Sequence, residues 1–328
     1  MMTLRILFAP LLAACVELTV TPIVASCDEI LKVAVGAPNN WDSGIPDVGQ
    51  RAGIFMKHGL ILDILYTNGG GETMQAVISG SADLGISAGT GGVFGAFAKA
   101  APVRILLAGT TGASDLYWYV PASSPLQSFA DLDGRTVGYS TNGASTHTTL
   151  LALMKHFKVA ARPVSTGAAA LTMTQAMSRQ IDVGWASPPF GLDALNEAKI
   201  RLIARGSDAP STRDQTVRVH IVNADALAKR REVMNRFAAA YRETYEWLYD
   251  NPNGVKIYAQ YAQVPERLAI RIRDEFMPKR AMAPDRVSGV AAITKDAIDF
   301  KFMQAPLTQA QLDILLQIPL RGTEGGPK

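Results

Sequence analysis

Cysteine is almost absent from this 328-residue chain. The sequence holds two, Cys15 and Cys27, and both fall in the first 27 residues. An internal disulfide framework or a cysteine-built metal centre therefore cannot organise the rest of the chain. If the N-terminal segment is removed, the folded protein keeps one cysteine or none.

Histidine is scarce too, and no nucleophile signature accompanies it. The four histidines are His58, His147, His156 and His220. His147 lies close to Ser145, but no G-x-S-x-G elbow surrounds that serine, which favours a ligand-binding or helix-capping histidine. The other three fall near predicted helix ends or in a predicted strand, so they do not predict a metal site. We expect no catalytic residue, no metal and no cofactor.

Charge of one sign is also missing. The formal net charge is +3, and basic residues alternate with acidic ones instead of forming a stripe, which argues against nucleic acid as a partner. A composition of 48% hydrophobic and 19% charged residues is typical of a soluble globular protein with a large core.

The N-terminus has the pattern of a secretory signal. Arg5 precedes an apolar run over residues 6–24, and small residues follow it, so we predict a signal peptide over 1–26. Pro10, Glu17 and Pro22 interrupt the run and argue against a permanent membrane helix. The sequence V-A-S-C, residues 24–27, also resembles a bacterial lipobox, which makes Cys27 a candidate lipidation site. Cleavage with release and lipid anchoring both remain open.

Beyond residue 30 the sequence alternates short apolar runs with amphipathic stretches, as in α/β proteins with parallel sheets. Strands are predicted at 31–35, 61–66, 82–86, 104–108, 116–120, 135–139, 181–185 and 216–222. Helices are predicted at 45–58, 72–78, 148–157, 168–178, 226–249, 265–276, 284–302 and 308–317.

One pattern occurs twice. The segments MQAVISGSADLGISA and MTQAMSRQIDVGWAS each contain a helix, a turn, an apolar-Asp-apolar-Gly strand and a small-residue exit. Two similar lobes are the simplest explanation.

Three phrases carry a family resemblance. They are AGIFMKHGL at 52–60, GSADLG at 80–85 and SPLQSFADLDGRTVG at 124–138. In this order they resemble the nitrate/sulfonate/taurine branch of periplasmic solute-binding proteins of ABC importers, which is related to thiamine-pyrimidine-precursor binding proteins. The resemblance covers about residues 31–252.

The resemblance implies a type II periplasmic-binding-protein fold, with two α/β lobes, mainly parallel sheets and a ligand cleft between the lobes. Lobe 1 would comprise 30–113 and 217–328, and lobe 2 would comprise 114–216. It further implies a monomeric periplasmic receptor, free or lipid-tethered, that delivers a small solute to an ABC permease in the inner membrane. Two alternatives stay open: a periplasmic sensor subunit, and the fold-related thiamine-pyrimidine synthases, whose cysteine-rich iron motif this chain lacks.

Ligands of open α/β sheets bind beyond the carboxyl ends of strands, where glycines expose backbone and helix N-termini face the crevice. Small polar residues follow the predicted strands at these ends, and we predict ligand contacts from them. The candidate ligand-binding residues are Asn39, Asn40, Trp41, Ser87, Gly89, Thr90, Gly91, Ser140, Thr141, Asn142, Ser145, Thr146, His147, Trp185 and Ser187.

The class of solute stays open at this stage. An anion such as a sulfonate, nitrate or carboxylate would use helix N-termini, and Arg218 could reinforce them unless it forms a surface salt bridge. A flat pyrimidine-like solute would instead stack on Trp41, Tyr139 or Trp185.

Overall fold

The computed structural model describes residues 28–322. The predicted signal segment, residues 1–26, and Cys27 lie outside the described residues. The described part contains ten strands: β1 Glu29–Val35, β2 Leu60–Tyr66, β3 Leu84–Gly89, β4 Val103–Ala108, β5 Tyr117–Pro121, β6 Thr136–Tyr139, β7 Arg162–Ser165, β8 Gly184–Ala186, β9 Ile200–Arg205 and β10 Arg218–Asn223.

The same part of the chain contains thirteen α-helices, with short 3-10 and π turns between some of them. They are α1 Ile45–Arg51, α2 Ile54–Lys57, α3 Gly70–Ile78, α4 Thr90–Ala98, α5 Ser145–Phe157, α6 Ala169–Met177, α7 Leu192–Asn196, α8 Ala224–Lys229, α9 Arg231–Asp250, α10 Pro252–Ala262, α11 Glu266–Arg271, α12 Val290–Asp299 and α13 Gln309–Leu315.

The first sheet has the order β2-β1-β3-β10-β4 and forms the centre of what we call lobe 1. Strands β1, β2 and β3 are parallel, whereas β10 runs antiparallel to both of its neighbours. Because β10 is antiparallel to β3, the first residue of β10 lies at the edge of the sheet where β1 and β3 end. Arg218 is that residue.

The second sheet, at the centre of lobe 2, repeats this plan. Strands β8-β5-β9 form an antiparallel set, β6 and β7 pair in parallel, and a parallel bridge between Val137 and Val183 links the two sets. The resulting order, β7-β6-β8-β5-β9, matches β2-β1-β3-β10-β4 position by position. The two-lobed α/β prediction is therefore confirmed, and the repeated sequence pattern corresponds to α3–β3 and α6–β8. Both sheets are mixed, because β5 and β10 each run against their neighbours.

Alternation along β1 explains how the first sheet buries both faces. Val33 and Val35 belong to one core cluster with Phe237 of α9, whereas Ala34 belongs to a second cluster on the opposite face. Lobe 2 has its own core around the fully buried Trp118. Each lobe thus has its own hydrophobic core, and Leu192 of α7 joins the core of lobe 1.

Several predicted helices are interrupted in the structure. The helix predicted at 45–58 divides into α1 and α2, because Gly53 between them adopts a left-handed φ of 75°. The helix predicted at 226–249 likewise divides into α8 and α9 at Arg230. Within residues 28–322, no helix is both long enough and apolar enough to cross a bilayer.

Candidate interlobe binding site

A small polar cavity lies between the lobes, where strands of both sheets end. Its volume is about 40 Å³, which is room for a few water molecules. The lining combines backbone of glycine-rich strand exits with short polar side chains and one ion pair. The lining residues are Gly36, Ala37, Asn40, Asp42, Ser43, Gly69, Gly70, Ser87, Leu116, Ser140, Ala144, Ser145, Thr146, Trp185, Ser187 and Arg218.

The wall from lobe 1 is shaped by a bulge. The register of β10 shifts between Val219 and Ile221 where it pairs with β3, so the backbone N–H of Ser87 donates instead to Nδ1 of His220, at 3.1 Å. Ser87 itself adopts a left-handed φ of 60°, an uncommon conformation for serine. Its hydroxyl donates to Oδ2 of Asp42 at 3.0 Å. The bulge thus directs the serine hydroxyl toward the carboxylate at the cavity.

A buried ion cluster joins the two lobes across the cavity. The Arg218 guanidinium donates from Nη1 to Oδ2 of Asp42 at 3.1 Å and from Nη2 to Oδ2 of Asp115 at 2.7 Å. Its Nε donates to Oγ of Ser145 at 3.0 Å. The three charged side chains are 6%, 4% and 1% exposed, so none is solvated to a useful extent. The cluster therefore holds two carboxylates and one guanidinium in a low-dielectric site.

The pKa values of the cluster follow from this charge balance. Burial alone would lower the pKa of Arg218, but the carboxylates of Asp115 and Asp42 outweigh it and raise the pKa. Burial raises the pKa of Asp115; Arg218 opposes the shift and the Asp42 carboxylate adds to it. Arg218 is therefore a fixed cation, whereas burial makes ionisation of Asp115 less favourable than that of a solvated carboxyl.

The wall from lobe 2 begins at the N-terminus of α5. The Oγ1 atom of Thr146 accepts the backbone N–H of Ser140 at 3.0 Å, and the two hydroxyls share a 2.7 Å hydrogen bond. The indole of Trp185 donates to Oγ1 of Thr166 at 3.2 Å, which fixes the ring against the cavity. Ser187 donates to Oδ2 of Asp115 at 2.9 Å. These bonds hold the wall in a single arrangement.

Beside the cavity, glycines allow the two backbones to touch. A methyl group on Gly89 or on Gly92 would lie 2.3 Å from the carbonyl oxygen of Gly143, and one on Gly71 would lie 2.2 Å from that of Asn142. The backbone N–H of Gly71 also donates to Oγ1 of Thr141 at 2.9 Å. We call this contact the glycine seam, formed by Gly71, Gly89 and Gly92 of lobe 1 against residues 141–143 of lobe 2. It explains much of the glycine content of the strand exits.

A second, smaller cavity of about 20 Å³ lies beyond the seam, beside the segments that cross between lobes. Thr90, Gly91, Thr149 and Thr216 contribute to its lining. The hydroxyls of Thr90 and Thr149 are buried there without a hydrogen-bond partner in the described part of the chain.

The structure distributes the sequence-predicted site residues among several places. Seven line the main cavity: Asn40, Ser87, Ser140, Ser145, Thr146, Trp185 and Ser187. Gly89, Thr141 and Asn142 belong to the glycine seam. Thr90 and Gly91 line the smaller cavity instead.

Trp41 requires a correction, because it belongs to the core and not to the cavity. Its side chain is fully buried, its Nε1 donates to the Tyr249 hydroxyl at 2.9 Å, and its ring lies 4.4 Å from that of Tyr258. Asn39 is held in the same place, since its N–H donates to the Tyr261 hydroxyl and its carbonyl accepts from Tyr258. Helices α9 and α10 thus hold Asn39 and Trp41 away from the cavity, whereas Asn40 between them lines it.

His147 also lies outside the cavity lining. Its ring stacks on Tyr139 at 4.2 Å, and its Nδ1 lies 3.3 Å from the N–H of Gly143, which supports the seam. Burial lowers the pKa of His147 to about 4, so the ring is neutral at pH 7.

Sequence reasoning missed Asp42 and Asp115 and left Arg218 undecided between a cleft and a surface role. One signal was available, because Asp42 directly follows the candidate residues Asn39, Asn40 and Trp41. Asp115 precedes β5 in a crossing segment and has no such signal. Arg218 lies in the cleft, buried and already paired.

Comparisons with known proteins agree with this architecture. The family described as NMT1/THI5 like matches residues 47–255, more than half of the chain. A Brucella abortus protein named as a binding protein is 26% identical over 257 residues, 77% of this chain and 78% of that protein.

Two solved structures illustrate the range of proteins with this fold. The periplasmic aliphatic sulphonate binding protein SsuA from Escherichia coli superposes with a TM-score of 0.66 at 16% identity, covering 89% of this chain and 93% of SsuA. The desulfurization enzyme DSZB superposes with a TM-score of 0.59 at 15% identity, covering 88% of this chain and 96% of the enzyme. At these identities the likeness shows the fold, which is that of periplasmic binding proteins.

Proposed function

The chain belongs to the NMT1/THI5-like family, and from this premise we propose that it is the solute-binding component of an ABC importer. It would capture a small organic or ionic solute between its lobes and deliver it to a permease in the inner membrane. The observation that carries the proposal is the polar cavity lined by strand ends of both lobes. Separation of the lobes would open such a site, and their closure would enclose a bound solute.

The proposed lobe boundaries follow the crossing segments. Lobe 1 comprises 30–113 and 217–328, and lobe 2 comprises 114–216. Between them, Thr111 and Thr216 pair as an antiparallel bridge, and their hydroxyls lie 2.9 Å apart. Two adjacent crossing strands are a geometry that permits hinge closure about one axis.

We further propose that the protein acts in the periplasm as a monomer. The N-terminal pattern would direct export, followed either by cleavage and release or by lipid attachment at Cys27. The ligand contacts would come from the seven predicted residues that line the cavity, together with Asp42 and Arg218.

An enzymatic role is the main alternative, because the DSZB neighbour shares the fold. Among the described residues, no group of three or more His, Cys, Asp or Glu side chains could hold a metal ion. The charged groups at the cavity are paired with one another rather than poised beside a nucleophile, which favours binding over catalysis. A periplasmic sensor subunit would share the same binding chemistry and differ only in its partner.

The proposal is tested with a thermal-shift screen of the purified protein against small solutes of all charge classes, followed by calorimetry on each hit. Mass spectrometry then establishes whether the compound is recovered unchanged. We expect stoichiometric binding without conversion. Consumption of the compound would favour the enzyme, and no binding by any solute would contradict the receptor.

Asn40→Ala provides a site-directed test of the same proposal. Asn40 lines the cavity, and its Oδ1 is buried without a partner in the described structure, so its loss should weaken solute binding with little loss of stability. Asn196→Ala, at the exposed end of α7, is the matched control and should bind as the unmodified protein does.

A further inference from the structure

The charge of the interlobe cavity narrows the class of solute. We propose that the bound solute is neutral or cationic, carries N–H donors, and is not a simple anion. This inference rests on the proposed receptor function and concerns the same site.

The balance of charge at the cavity disfavours an anion. Arg218 is the one cation among the residues that line the cavity in the described structure, and Asp42 and Asp115 both pair with it. Two carboxylates against one guanidinium leave an excess of negative charge beside the cavity. Burial prevents solvent from screening that excess. A cationic solute would neutralise it, whereas an anion would add to it.

Carboxylate and amide oxygens at and beside the cavity lack hydrogen-bond donors within the described part of the chain. Oδ1 of Asp115 and Oδ1 of Asn40 are buried without a hydrogen-bond partner in the described residues. Asp42, whose Oδ2 accepts from Ser87, Thr110 and Arg218, makes no hydrogen bond through Oδ1 within the same part of the chain. Buried acceptors are satisfied by donors, and N–H groups of a solute would supply them.

An anion could pair with Arg218 only by displacing one of these carboxylates. The displaced carboxylate, at 4% or 1% exposure, would then remain buried without a partner, which is strongly unfavourable. Helix N-termini at α3 and α5 offer partial positive charge, but at α3 the N–H of Gly71 already donates to Thr141.

The inference is tested with isosteric charge series. One series is guanidinium, urea and nitrate, and a second is acetamidine, acetamide and acetate; they are added to the broad solute screen and followed by calorimetry. We expect the binding solutes to be cations or neutral N–H donors. If anions bind instead, the charge inference is overturned while the receptor function survives. If no solute of any class binds, the receptor function fails and the inference falls with it.

Variants separate the charge effect from a general effect on folding. Asp42→Asn should weaken binding of a cationic solute at least tenfold. It should also reduce the ratio of the affinity for the cation to the affinity for the isosteric anion. Asp63→Asn, on the exposed side of β2, removes the same charge away from the cavity and should leave binding unchanged. If Asp42→Asn does not fold, Asp115→Asn serves the same purpose. Equal effects of the cavity and control variants would overturn the inference.

Discussion

Replacement of Gly92 by alanine should hinder closure of the lobes without unfolding either of them. The added methyl would lie 2.3 Å from the carbonyl oxygen of Gly143, whereas ordinary contacts lie at 3.4–4 Å. The lobes must therefore separate by about 1 Å at the seam, because backbone on the opposite side cannot rotate away as a side chain could. Overpacking of this kind costs about 1–3 kcal/mol.

That cost applies to the closed state alone. Since each 1.4 kcal/mol corresponds to about a factor of ten, the dissociation constant for the solute should rise by roughly 5- to 140-fold. In the open state the change from glycine to alanine on helix α4 should instead stabilise the protein by up to about 1 kcal/mol. The measurement is calorimetry of solute binding together with the melting temperature of the free protein.

Gly91→Ala is the matched control, one residue earlier on the same helix. Its methyl would meet only the Thr148 side-chain methyl, at 3.1 Å, and that side chain can rotate. Unchanged affinity in Gly92→Ala would show that the seam is absent from the bound state. A large loss of melting temperature would show that the seam persists in every folded state. Either result would contradict a glycine seam that forms only when the lobes close.

Three further predictions follow from named contacts. A methyl on Gly167 would lie 3.8 Å from Cβ of Asn68, which suits a disulfide between the lobes. In the double variant Asn68→Cys and Gly167→Cys, that disulfide should block solute entry until it is reduced, and Asn68→Cys alone is the control. Normal solute binding by the oxidised form would contradict lobe opening. Trp41→Ala should lower the free energy of unfolding in urea by about 3–5 kcal/mol with little change in solute affinity, because the ring belongs to the core. A large loss of affinity with little loss of stability would instead place Trp41 in the binding site. Burial lowers the pKa of His220 from 6.5 to about 4, so the contribution of this group to the free energy of unfolding should be fully present above pH 6.5 and should fall by about 3 kcal/mol toward pH 4. A His220→Gln variant should show a shallower dependence of the free energy of unfolding on pH. An identical dependence would show that His220 is not its cause.

Most of the sheet architecture could be predicted from local sequence. Each of the eight predicted strands lies within three residues of an observed one, because short apolar runs bounded by glycine, proline or small polar residues predict strands well. Strands β7 and β9 were not predicted. The first is a four-residue strand that contains Pro163, and the second alternates apolar residues with arginines at a sheet edge.

The site could be predicted only in part, because its geometry depends on distant contacts. Seven of the residues predicted from the strand exits line the cavity, and their contact with a solute stays a prediction. Which residues of the loop 39–42 face the cavity was not predictable, since Trp41 is drawn into the core by Tyr249, 208 positions away in the chain. The ion cluster likewise joins Asp42 and Arg218, 176 positions apart, and no local pattern encodes that pairing.

The position of β10 within the first sheet has a consequence for the order in which the chain can fold. Every strand of the second sheet lies between Tyr117 and Arg205, so that sheet can assemble from one continuous stretch. The first sheet needs Arg218–Asn223 inserted between β3 and β4, and its pairing must wait until a segment more than 100 residues downstream has been synthesised. We therefore expect lobe 2 to form first and to act as the closed loop that brings the two halves of lobe 1 together. An exported chain would then lack its completed N-terminal sheet until about two thirds of it had been made, and up to that point would remain competent for translocation.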